Sequence, residues 1–83
     1  MNQAIQVLDG FIYIEATKAI QIEVMAGGQM LLCYITGEDK QNLSTLYAAK
    51  QFEIEELIEG QIAQDYVNEK GEIWLTTHQV NTF

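Results

Sequence analysis

Two adjacent glycines, Gly27 and Gly28, divide two segments of alternating or apolar character, residues 19–26 and 29–36. In the first, Ile20, Ile22 and Val24 alternate with Gln21, Glu23 and Met25, the period-two signature of a half-buried strand. A two-residue Gly-Gly linker supplies the positive φ angles of a type I′ or II′ turn, so the second segment returns antiparallel to the first. A turn of that length pairs Ala26 with Gln29, and then Val24 with Leu31, Ile22 with Cys33 and Ile20 with Ile35. Directly paired residues share a face, which makes Ile20, Ile22, Val24, Leu31, Cys33 and Ile35 one wholly apolar surface, the expected core. The opposite face pairs Met25 with Met30, Glu23 with Leu32 and Gln21 with Tyr34, and is too apolar for plain solvent surface. A slip of one residue would exchange the two faces, so everything rests on the turn.

Shorter signals flank this hairpin. Ala4 to Leu8 ends at the turn pair Asp9-Gly10 and is followed by Phe11-Ile12-Tyr13-Ile14, a short strand or the return arm of a hairpin. Thr17-Lys18 marks a bend. Thr36-Gly37-Glu38-Asp39 resembles a capping box with Asp in the last place, and Leu43, Leu46 and Tyr47 follow at helical spacing. From Phe52 the stripe Ile54, Leu57, Ile58, Ile62 and Tyr66 or Val67 predicts a second helix. Gly60 within it suggests a close contact, since glycine there costs ~1 kcal/mol relative to alanine. Asn68-Glu69-Lys70-Gly71 reads as a turn, and residues 72–77 as a last strand with Ile73 and Leu75 on one side and Trp74 on the other. The tail from His78 to Phe83 is expected to be ordered only if something holds it. The fold class is thus α+β: one domain, residues 1–83, with a small antiparallel sheet built from the N-terminal strands, the central hairpin and the C-terminal strand. Two helices are expected on one of its faces.

Composition removes several functions. Hydrophobic residues make up 48% of the 83, enough to fold. Twelve acids stand against four lysines for a net charge of −8, which speaks against a nucleic-acid partner, because affinity there comes from neutralising phosphates. One Cys permits neither an internal disulfide nor a Cys-based zinc finger. The longest apolar run, Met30 to Ile35, falls far short of the ~20 residues that span a bilayer. The start Met1-Asn2-Gln3-Ala4 lacks the basic residues of a signal peptide, and acidic surfaces are repelled by anionic headgroups. A cytoplasmic protein without a membrane partner is the expectation.

Little chemistry fits. Cys33 falls on the core face, where a thiol is inert; Ser44 has no elbow motif around it; the single His78 sits in the tail. Glu55 and Glu59 stand one helical turn apart, but on a polar helical face they read as a solvated stripe rather than an acid–base pair. No loop has calcium-site spacing, and Gly27-Gly28 lacks the Lys-Ser/Thr of a phosphate loop. Neither a catalytic residue, a metal site nor a cofactor is expected.

Surfaces for partners are easier to name. Trp74 is either a lid on the core or an aromatic anchor for a partner, and Met25, Met30, Leu32 and Tyr34 pose the same choice. A single core in a chain this short supplies only a few kcal/mol, with nothing covalent or metallic to reinforce it. Burying the second sheet face across a two-fold axis would help, and two-fold dimers are the commonest oligomers, so a homodimer is expected.

Two stretches also carry a resemblance. Residues 19–35, with the Gly-Gly turn and the closing Cys33-Tyr34-Ile35, and Phe52-Glu53-Ile54-Glu55-Glu56 with Gly71-Glu72-Ile73-Trp74-Leu75, resemble a family of short bacterial proteins known only as a domain of unknown function. The likeness spans about two-thirds of the chain and departs from the family at Phe11, where a Trp is expected, and in a short link before the acidic helix. It implies a compact α+β protein of bacterial type and supplies no activity. The expected role is a non-enzymatic interaction or accessory module, homodimeric, with an unidentified protein partner. The alternative is an acidic inhibitor or nucleic-acid mimic that offers Glu53, Glu55, Glu56 and Glu59 to a basic protein surface; a small-ligand carrier and an enzyme rank behind it.

Overall fold

In the computed structural model, which describes residues 4–83, Gly27 and Gly28 adopt φ of 58° and 82°, the left-handed pair that a type I′ turn requires. Met1, Asn2 and Gln3 of the non-basic start lie outside the described residues. The turn closes β3 (Ala19–Ala26) onto β4 (Gln29–Thr36) in the register its length dictates: Ala26 opposite Gln29, Val24 opposite Leu31, Ile22 opposite Cys33 and Ile20 opposite Ile35. All six residues of the expected core face are buried. Against them pack Leu43 of α1 (Lys40–Ala49), Ile54 and Ile58 of α2 (Gln51–Ala63) and Val80 of α3 (Thr77–Asn81). Ile73 and Leu75 of the last strand complete that cluster. The result is an α+β fold with its helices on one face of the sheet.

One connection differs from expectation. The last strand, Glu72–Thr76, pairs with β4 in parallel, Leu32 opposite Glu72 through Thr36 opposite Thr76, so the sheet is mixed rather than wholly antiparallel. The cause lies between the strands. Only Lys50 separates α1 from α2, too short a joint for the usual loop of a helical hairpin. The two helices therefore act as one bent crossover, and a crossover delivers the chain back beside the start of β4, where parallel pairing follows.

Of the two readings of residues 11–14, the short strand holds and the return arm of a hairpin does not. β1 (Ile5–Val7) and β2 (Ile12–Ile14) both pair antiparallel with β3, one after the other along the same edge. Val7 faces Val24 and Ile12 faces Gln21, so residues 8–11 lie opposite 22 and 23 and two extra residues bulge out. Gly10 sits in that bulge at φ 91°, and its N–H donates to the Tyr47 hydroxyl at 2.9 Å. Phe11 meets the Tyr47 ring edge-on, with centroids 4.9 Å apart, so α1 holds the bulge in place. The last strand is named β5 from here on.

Local signals were resolved in three other ways. Asp39, not Thr36, caps α1, its carboxylate accepting from the Asn42 N–H at 2.8 Å. The tail is held after all: Thr76 and Gln79 form a complete capping box at the start of α3, and Val80 is fully buried. A Cβ placed on Gly60 would meet nothing within 4 Å, and its φ is not positive, so no close contact explains that glycine. Gly60→Ala is accordingly expected to raise the unfolding free energy by about 0.5–1 kcal/mol, readable as a higher urea midpoint at unchanged slope.

Candidate functional site

With the helices on one side, the other side of the sheet is set by the strand register. Its rows run Gln6–Met25–Met30, then Glu23–Leu32–Glu72, then Ile12–Gln21–Tyr34–Trp74. Met30 is 47% exposed, Trp74 45% and Ile12 56%, while Met25 and Leu32 are half-buried and Glu23 is exposed. Tyr34 is the exception among the candidate docking residues. It is buried because the Trp74 indole lies over it, ring centroids 4.4 Å apart and planes 18° from parallel. Its hydroxyl donates to Gln21 Oε1 at 3.0 Å. Trp74 is thus a lid on Tyr34 with its outer surface in solvent, rather than a lid on the main core.

The carboxylates on this face are fixed or open in different ways. Glu72 Oε1 accepts from Asn68 Nδ2 at 3.1 Å and from Trp74 Nε1 at 3.2 Å. Those bonds, together with the charge of Lys70 in the preceding turn, hold the Glu72 carboxyl below its ordinary range. Glu23 and Asp9 line a shallow recess of about 340 Å³ at the β1–β2 bulge, with Leu8, Phe11 and Ile12 as its apolar wall. The recess opens beside the Ile12–Gln21 row, so apolar surface and carboxylates share one continuous region.

Both edges of the sheet are partly blocked to backbone pairing. The β1–β2 edge is broken by its bulge. On β5, Leu32 N–H donates to the Gly71 carbonyl, which in a parallel ladder turns the backbone groups of Ile73 and Leu75 toward β4 and those of Glu72, Trp74 and Thr76 outward. Asn68 Oδ1 takes the Glu72 N–H at 2.9 Å, and the Asn68 N–H donates to the Glu72 carbonyl at 3.0 Å. Gln79 Oε1 takes the Thr76 N–H at 2.9 Å. Side chains therefore stopper the edge at both ends, a device that blunts edge-to-edge association. Neither Asn68 nor Gln79 stood out as a functional residue in the sequence, although the Thr76-x-x-Gln79 capping signal was there to be read.

The acidic candidates occupy the other side of the molecule. α2 packs Ile54 and Ile58 onto the core face, with Glu56 and Glu59 exposed and Glu53 and Glu55 half-buried. Cys33 lies in the core, where burial pushes its thiol up to about 12, and His78 is exposed on α3. Among the described residues, no group of three or more His, Cys, Asp or Glu could hold a metal ion, and no helix is long and apolar enough to cross a membrane.

Protein-family models and curated proteins searched for similarity yield no match. Among solved structures, the chain is similar to the crystal structure of a protein of unknown function from the DUF1488 family of Shewanella loihica PV-4. The two share 26% sequence identity and a TM-score of 0.75, over 90% of this chain and 94% of that one. This fold is one that an uncharacterised domain family also uses.

Proposed function

We propose that the protein is a non-enzymatic interaction module of bacterial type that docks a protein through the outer face of its sheet. The observation that carries this reading is the one-sided distribution of helices, which leaves Trp74, Met30 and Ile12 in solvent on the opposite face. Tryptophan and methionine are enriched at the centres of interfaces, and an indole already stacked on Tyr34 loses little further freedom on binding. Partly blocked sheet edges favour docking on this face. The Cys33 thiol is buried in the core and protonated, away from this face, so it offers no nucleophile there.

Site-specific photo-crosslinking from two positions tests the proposal in living cells. A benzophenone side chain in place of Trp74 is expected to yield a discrete adduct, and the same group in place of Glu56 on α2 is not. Adducts only from the α2 position, or from neither, overturn the docking role of the sheet face.

A further inference from the structure

We infer that the occupant of the outer face is an arginine- or lysine-bearing apolar segment of a second protein, its cation seated between Asp9 and Glu23 in the bulge recess. This inference rests on the docking role proposed for that face and adds the chemistry of the partner. Charge arrangement decides it. Glu23 and Glu72 flank Leu32 in one cross-strand row, and Asp9 joins Glu23 around the recess. The three rows carry no lysine, and the chain has no arginine. A second copy set against this face would bring no lysine from its own three rows to meet Asp9 or Glu23, and buried carboxylates without a cation are costly. Edge pairing, the other route to a symmetric assembly, is hindered at both ends of β5 by Asn68 and Gln79.

A foreign basic segment meets none of these obstacles. The recess has the mixed character that a long cationic side chain fits: Leu8, Phe11 and Ile12 offer apolar surface to a methylene stem, while the carboxylates among its lining residues, Asp9 and Glu23, receive the head group. Alternate apolar residues of the same segment then cover Leu32, Met30 and the free surface of Trp74. With a net charge of −8, the whole molecule also draws a basic partner in from solution.

Trp74 is the chain's single tryptophan, so its emission reports binding at the site. The probe is a twelve-residue peptide alternating leucine and arginine, compared with a peptide of the same length in which citrulline replaces arginine. The arginine peptide is expected to shift the Trp74 emission and to bind about tenfold or more tightly than its neutral counterpart, with affinity falling as salt is added. The double variant D9N/E23Q is expected to weaken binding about five- to tenfold. E56Q/E59Q, which removes the same charge from α2, should leave it within about twofold; all four side chains are carboxylates away from the core, and circular dichroism checks that each variant folds. Equal weakening by the two double variants, or equal binding of the citrulline peptide, overturns the inference, since attraction would then be non-specific or purely apolar. A crosslinked product from position 74 with twice the mass of the chain also overturns it, by showing a second copy as occupant, while upholding the docking face. Absence of any adduct from that position removes both.

Discussion

Gly37→Ala is expected to lower the unfolding free energy by about 2–5 kcal/mol, the sum of backbone strain and steric overlap. Gly37 follows β4 with φ 118°, a conformation in which any Cβ is strained. An added Cβ would also lie 2.6 Å from Thr77 Oγ1, the closest approach at any of the glycines for which contacts are given. That hydroxyl cannot swing clear easily, because Thr77 is buried, branched at Cβ and fixed at the first turn of α3. The double variant Gly37→Ala/Thr77→Ala separates the two causes. Removing the hydroxyl relieves the overlap and leaves the strain, so the two substitutions should couple by about 1–2 kcal/mol in a double-mutant cycle. Urea unfolding that shows Gly37→Ala within about 0.5 kcal/mol of the parent would contradict both contributions.

The contrast between what the sequence disclosed and what it concealed follows the range of the interactions involved. The β3–β4 register was legible because Gly27-Gly28 settles it locally, and eight residue pairs then follow without further choice. Leu43, Ile54 and Ile58 were legible for a similar reason, since helical spacing marks a buried stripe. The direction of β5 was not. It depends on whether Lys50 joins a hairpin or a bend, and a single residue between two helical stretches carries no periodicity to read. The collinear β1 and β2 were hidden by the same kind of ambiguity: Asp9-Gly10 is a turn signal in a hairpin and equally a bulge signal along one edge. For the candidate site, the outward positions of Met30 and Trp74 came directly from alternation. The recess at the bulge did not, because it exists only once both N-terminal segments share β3. Asn68 and Gln79 were missed as edge stoppers since their value depends on β5 being an edge strand, a fact of topology.

The two faces of β3 make opposite predictions at neighbouring residues. Ile22→Ala is expected to cost about 3–4 kcal/mol, whereas Glu23→Ala should change stability by less than about 0.5 kcal/mol. Ile22 is fully buried at the β3 end of the row Ile22–Cys33–Ile73, which spans β3, β4 and β5. Its truncation leaves a cavity that three hydrogen-bonded strands cannot close without moving the helices above them. For a domain of this size the total stability is roughly 4–12 kcal/mol, so the loss is a quarter or more of it. Cys33, directly across from Ile22, provides the readout. In the parent its thiol reacts with a disulfide reagent only when the sheet opens, because the native thiol is buried and stays protonated. A loss of about 3 kcal/mol raises the open population about a hundredfold, so Cys33 in the Ile22→Ala variant should react faster by that factor, and in Glu23→Ala at nearly the parent rate. Reversed sensitivities at these adjacent positions would mean that the hairpin is shifted by one residue, with the present core face turned to solvent.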